Sequence, residues 1–78
     1  MTNKKEKLKK LGKNIQKARK KQRYTQKEIA KKIGISTPAY SRYENGKNEP
    51  GVLTAAQIAS VCKTTVENLI NEKKDEEP

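Results

Sequence analysis

The stretch Thr25–Gly46, TQKEIAKKIGISTPAYSRYENG, decides the fold, and its reading begins at the cap. Thr25 followed three residues later by Glu28 is a capping box. The hydroxyl can accept from the Glu28 backbone N–H while the carboxylate reaches back to the Thr25 N–H. This predicts a helix starting at Gln26. Ile29, Ala30 and Ile33 recur at helical spacing and form its apolar face. Gly34 ends it, because glycine enters the left-handed region without a Cβ penalty. Ile35 follows as a hydrophobic residue in the turn. Ser36 or Thr37 then caps a further helix with Pro38 in its first turn, and Asn45-Gly46 stops it. On a wheel of about 100° per residue, Thr37, Pro38, Ser41, Arg42 and Asn45 share one contiguous arc of about 140°. That arc is polar and small. Ala39, Tyr40, Tyr43 and Glu44 carry the bulk on the remaining side.

Outward from this stretch the chain continues as short helical patterns separated by turn signals, without period-2 alternation. A helix over about Glu6–Gln22 brings Leu8, Leu11, Ile15, Ala18 and Gln22 within one arc, with Lys9, Lys10, Lys13, Lys17, Lys20 and Lys21 opposite. Arg19 is the exception among the cations. It falls at the edge of the apolar stripe, where an unpaired charge is costly, so it should find a buried acid. Beyond Asn45-Gly46, Lys47–Gly51 reads as a loop. A fourth helix over about Val52–Cys62 turns Leu53, Ala56, Ile58, Ala59 and Cys62 inward. A fifth over about Val66–Asn71 brings Val66, Leu69 and Ile70 to the core.

The chain has 78 residues, which bounds it to one domain near the lower limit for a self-sufficient core. Only 31% of residues are apolar, with no Phe or Trp, so that core must be small and aliphatic. With no His and a single Cys, a His/Cys metal cluster, an internal disulfide, a Cys–His pair and a Ser–His–Asp triad are excluded. Neither a metal nor another cofactor is expected, and no enzyme. No apolar run exceeds two residues, so neither a signal peptide nor a membrane span is expected, and the cytoplasm is the expected location. Residues 1–23 hold eleven basic residues and one acid, a net of +10; residues 24–78 hold eight of each, a net of zero. The whole positive excess therefore lies in the first segment. Such blocks suit solvated arms or contact with nucleic acid or a membrane surface. Residues 1–5 read as a flexible basic arm, 6–71 as the folded domain and 72–78 as a disordered charged tail.

Two short helices joined by a tight glycine turn, the second with a polar outer face, describe a helix-turn-helix over 26–45. Ala30 is small where the two helices cross, and Ile33, Ile35 and Tyr40 set the angle between them. With these features in register, the sequence resembles the lambda-repressor-like (Cro/XRE-type) helix-turn-helix family over about Leu11–Ile70. The carrying residues are Leu11-Gly12, Ile15 and Arg19; Thr25-Gln26, Ile29-Ala30 and Ile33-Gly34-Ile35-Ser36; Ser41 to Lys47 with Pro50; and Leu53, Ile58-Ala59, Val66 and Leu69-Ile70. Three departures stand out. Arg23 and Lys63 occupy turns where the family often has Gly, which costs about 1 kcal/mol if they are left-handed. Gly51 replaces a Ser or Thr cap. Tyr40 and Tyr43 replace smaller aliphatics, and their hydroxyls need a partner or solvent.

The resemblance implies an all-α, compact five-helix domain whose third helix enters the major groove of double-stranded DNA. It implies base reading by Thr37, Pro38, Ser41 and Arg42. Arg42, the one forked donor on that arc, suits bidentate contact with guanine. It implies phosphate contacts from Gln26, Asn45, Lys47 and Asn48, and an internal salt bridge between Arg19 and Glu44. It further implies a homodimer on a near-palindromic operator, acting as a small repressor with no small-molecule ligand. By the same analogy the dimer surface falls on the C-terminal helix and the end of the fourth. The alternative reading is an antitoxin-type protein-interaction module that also binds DNA, hinted at by the acidic tail Glu72–Pro78. Membrane-surface binding by the first helix is disfavoured, because its apolar stripe has no aromatic anchor and is needed by the core.

Overall fold

The computed structural model describes residues 4–71, and the segments 1–3 and 72–78 lie outside it. The charged tail read from the sequence is therefore outside the described residues, as is most of the basic arm. Lys4 and Lys5, expected in that arm, are instead the first residues of a helix. Five helices follow one another: α1 (Lys4–Lys21), α2 (Gln26–Ile33), α3 (Thr37–Glu44), α4 (Val52–Val61) and α5 (Val66–Ile70). The described residues are all-helical, as expected.

Local chemistry sets the helix ends. Thr25 caps α2, and both bonds of the box are made: Glu28 N–H donates to Thr25 Oγ1 at 3.0 Å, and Thr25 N–H donates to Glu28 Oε1 at 2.8 Å. Ser36, not Thr37, caps α3, its Oγ accepting from Ala39 N–H at 3.1 Å. Thr65 caps α5 in the same way. Gly51 precedes α4 with no side-chain cap bond. The first four helices end alike. Backbone N–H groups of Tyr24, Ile35, Lys47 and Thr64 donate back to Arg19, Ala30, Arg42 and Ala59, closing Schellman turns. Each turn needs a left-handed residue. Gly34 (φ 78°) and Gly46 (φ 72°) supply it without strain, but Arg23 (φ 63°) and Lys63 (φ 56°) do so at a cost.

The helices pack as α1 on α3 and α5, α2 on α3 and α4, and α4 on α5. The core comprises Ile15, Ile29, Ala30, Ile33, Tyr40, Ile58, Ala59, Cys62 and Leu69. Leu11, Ala18, Tyr24, Ile35, Tyr43, Val61 and Val66 pack against it. Burial pushes the Cys62 thiol pKa upward, as suits a packed hydrophobe rather than a nucleophile. The α1–α3 crossing is close. A β-carbon on Gly12 would meet the Tyr43 carbonyl oxygen at 2.6 Å, and the Glu44 carbonyl as well. Asn14 is buried and donates from Nδ2 to the Leu69 carbonyl at 2.7 Å, satisfying an orphan acceptor at the end of α5.

Three expected core residues face solvent instead. Leu53 is 81% exposed, Ile70 is 55% exposed and Ala56 is exposed too. In α4 apolar residues run around much of the circumference, so spacing alone does not choose a buried face. Packing against α2 and α5 takes Ile58, Ala59 and Cys62 and leaves Val52, Leu53 and Ala56 outside. The five-residue α5 has room to bury Leu69 but not its neighbour.

Candidate nucleic-acid interface

The site is built from a buried carboxylate outward. Glu44 closes α3 with 7% exposure and accepts four hydrogen bonds. Arg19 of α1 gives two, Nε to Oε2 at 2.7 Å and Nη2 to Oε1 at 3.3 Å. The Tyr40 hydroxyl gives one to Oε2 at 2.5 Å, and Gln26 Nε2 gives one to Oε1 at 2.9 Å. Arg19 also donates from Nη1 to the Tyr24 carbonyl at 2.7 Å, fastening the α1–α2 turn. One carboxylate thus ties three helices together. Burial works against its ionisation, but the donors Arg19, Tyr40 and Gln26 and the guanidinium charge outweigh this and hold the Glu44 pKa below its ordinary value. The bond to Glu44 correspondingly raises the pKa of Arg19. Burial, then the bond to Glu44, raises that of Tyr40.

This network fixes which side of α3 faces out. Tyr40 and Glu44 point into the core, so the opposite arc must be presented. Pro38, Arg42 and Asn45 are exposed, while Thr37 and Ser41 are half-buried at the edge of that arc. Asn45 Nδ2 donates to Ser41 Oγ at 3.3 Å, so these two side chains sit together. No carboxylate stands on the arc, because Glu44 is turned inward. Lys47 and Asn48 follow in an exposed turn whose N–H groups both donate to the Arg42 carbonyl, at 2.9 and 3.4 Å. The turn therefore rides on the base of α3 rather than swinging freely.

Of the residues read from the sequence, Pro38, Arg42 and Asn45 are exposed on α3 and its cap, Thr37 and Ser41 are half-buried beside them, and Lys47 and Asn48 are exposed in the turn that follows. Gln26 differs. It is half-buried, and its amide nitrogen is committed to Glu44 rather than left for solvent. One residue is added. Lys9 is exposed, and its backbone abuts Gly46, where an added β-carbon would lie 2.9 Å from Lys9 Cα. The lysine-rich face of α1 is visible in the sequence, but which of its lysines flanks α3 depends on the helix crossing.

Comparison with known proteins agrees with this geometry. The family described as Helix-turn-helix matches residues 15–69, from the last third of α1 into α5. The chain belongs to the Cro/C1-type helix-turn-helix family. Within that family it is 35% identical over 63 residues to the uncharacterized HTH-type transcriptional regulator YqaE of Bacillus subtilis (strain 168), covering 81% of this chain and 54% of YqaE. It is also 35% identical over 66 residues to the HTH-type transcriptional regulator ImmR of the same organism, covering 85% of this chain and 50% of ImmR. The chain thus spans about half the length of the curated relatives it matches. Among solved structures, the DNA-binding domain of the P22 C2 repressor superposes with a TM-score of 0.77 at 23% identity, covering 83% of this chain and 86% of that one. At this identity the likeness is one of fold. Among the described residues no helix is long and apolar enough to cross a membrane, and no His, Cys, Asp or Glu cluster could hold a metal ion.

Proposed function

We propose that this helix-turn-helix domain is a sequence-specific DNA-binding transcriptional regulator, a small repressor that seats α3 in the major groove. The observation that carries the reading is the arc Thr37–Pro38–Ser41–Arg42. It is presented outward because Tyr40 and Glu44, on the other side of the same helix, are locked into the core. The names of the B. subtilis relatives, both transcriptional regulators, support it. So does the repressor domain that shares the fold.

In this reading Arg42 reads guanine N7 and O6 with its forked donors, while Thr37, Pro38 and Ser41 meet neighbouring base edges and thymine methyls. Lys47, Asn48, Asn45 and Lys9 grip phosphates and set the register. Gln26 acts at the edge of that strip and also, through Glu44, holds α3 in place. A helix of eight residues reads only a few base pairs. Two copies on a near-palindrome, with half-sites one turn apart, supply the rest. The protein acts where the chromosome is, in the cytoplasm.

The test is selection of duplexes from a random pool followed by gel-shift titration at ~150 mM salt, where nonspecific phosphate binding is weak. Enrichment of a near-palindromic motif is expected. Enrichment no greater than that of bulk DNA would overturn the reading.

A further inference from the structure

Eleven basic residues crowd residues 1–23, and the phosphate-gripping surface described above takes Lys9 from among them. The lysines in the second half of α1 have a different setting. Lys17, Lys20 and Lys21 line a hollow of about 690 Å³ together with Lys63 of the α4–α5 turn. All four are exposed, and no Asp or Glu among the described residues lines the hollow. Gln22, Thr64 and Asn68 add polar side chains to it. Asn68 Nδ2 donates to Thr64 Oγ1 at 3.3 Å, which holds these two together on one side. The hollow lies on the far side of α1 from α3. Gly12 marks the face of α1 that meets the Tyr43 and Glu44 backbone. At about 100° per residue, Lys17 stands roughly 140° and Lys21 roughly 180° round the helix from it. The bodies of α3 and α1 therefore separate this hollow from a duplex on the outer arc of α3, and such a duplex does not account for the lysines gathered here.

We propose that this hollow is a binding site for a compact anion carrying two or more linked phosphate groups. The proposal goes beyond the DNA-binding reading and does not depend on it, since no residue of α3 or of the turn after it lines the hollow. Such a ligand is also outside what the family resemblance implies. Three observations carry it. First, the cations suit phosphate. A lysine ammonium binds phosphate as a point charge, and linked phosphates can meet several ammonium groups at once where a single phosphate cannot. Second, Lys63 stands there at a cost. Its φ of 56° is left-handed, which costs about 1 kcal/mol in a residue with a Cβ. Glycine would relieve that strain and would remove an ammonium group from the hollow. Strained backbone of this kind clusters at ligand sites. Third, the size and lining select a small ligand. The volume falls within the range of small-molecule sites, about 300–1,000 Å³. Among the described residues, no aromatic ring and no arginine lines it, so nothing there stacks on a nucleobase or forks onto its edge. Recognition falls to phosphate oxygens, with Gln22, Thr64 and Asn68 as neutral donors beside the lysines. A rigid duplex lays its backbone across a surface and does not enter a hollow of this size.

The probe is inorganic tripolyphosphate, titrated into the full chain at ~150 mM salt, with sulfate at matched ionic strength as the comparison. Amide NMR is expected to show saturable shifts at Lys20, Gln22, Lys63 and Asn68, with Arg42 and Lys47 unmoved. Calorimetry should give one site per chain. Lys63→Gly and Lys20→Gln should each lower the affinity about fivefold or more, as loss of a charge-assisted contact does. Lys31→Ala, an equal loss of charge on the exposed side of α2, should change it by less than about twofold, because exposed charges that far from the ligand are screened. Lys63→Gly relieves strain, so it should melt no lower than the wild type while binding more weakly, a combination that a merely structural role does not produce. Equal shifts with sulfate would overturn the proposal. So would an equal loss of affinity in Lys31→Ala and Lys63→Gly, or shifts confined to α3 and the turn after it. An unselected duplex should not displace tripolyphosphate from these residues; displacement would assign the hollow to a nucleic-acid backbone and overturn the small anion as its ligand. None of these results touches DNA recognition by α3, which fails separately if no duplex is enriched.

Discussion

Gln26 donates from Nε2 to Oε1 of Glu44 at 2.9 Å, across eighteen residues of sequence. The bond joins the first residue of α2 to the last residue of α3, so the helix-turn-helix is closed at its open end as well as at the Gly34 turn. The outer face of α3 is therefore braced by an inner carboxylate, and stability and recognition can be separated by substitution.

Arg19→Ala should strand Glu44 without its guanidinium partner. Breaking a buried pair from one side costs about 3–5 kcal/mol, against about 0–1 kcal/mol for an exposed pair such as Lys4–Glu49. Urea denaturation of Arg19→Ala and Lys4→Ala checks the contrast. Near-equal midpoints would show that the Arg19–Glu44 pair is energetically idle.

Acid should remove part of the same contribution. Glu44 binds a proton less readily folded than unfolded, so its contribution is complete above about pH 4.5 and is lost as pH falls through the depressed folded value. Tyr40 behaves in the opposite sense. Its raised folded pKa makes its contribution complete below about pH 10, and the contribution declines as pH rises beyond that. Stability measured against pH should lose the alkaline limb in Tyr40→Phe and part of the acid limb in Glu44→Gln.

The glycines separate two causes of intolerance. Gly12→Ala meets backbone of α3 and should destabilise by about 1–3 kcal/mol through overpacking. Gly34→Ala meets nothing within 4 Å, and its penalty of about 1–2 kcal/mol comes from φ alone. Lys63→Gly relieves a left-handed residue and should raise stability by up to about 1 kcal/mol. Thermal melts of the three variants give the signs directly.

Arg42→Ala should leave the melt unchanged and reduce discrimination at one base pair by about 1–3 kcal/mol. Lys9→Ala and Lys47→Ala should instead weaken binding to all duplexes alike and lower the salt slope by about 1 each. Titrations at several salt concentrations distinguish the two patterns. A fall in melting temperature for Arg42→Ala would make it a structural residue.

Much of this is legible along the chain because it is local. The Thr25–Glu28 box, a cap at Ser36 or Thr37 (Ser36 in the structure) and the Gly34 and Gly46 turns are settled by hydrogen bonds spanning three to five residues and by the φ that glycine allows. The arc on α3 follows from helical periodicity, and Arg19 betrays its buried partner by lying in an apolar stripe. Periodicity fails where a helix is apolar on several sides, as α4 is, or too short to have a face, as α5 is. That is why Leu53, Ala56 and Ile70 were expected inside and lie outside.

The order of elements, their caps and the composition of the outward face are thus properties of the sequence alone, since neighbours in the chain generate them. Tertiary packing decided the rest. It chose Gly12 as the crossing point of α1 and α3, aimed Asn14 at the end of α5, drew Gln26 inward to Glu44, and set Lys9 beside Gly46. Each of these joins residues far apart in the chain. Their distances depend on how rigid helices cross, and a helical wheel holds no information about crossings.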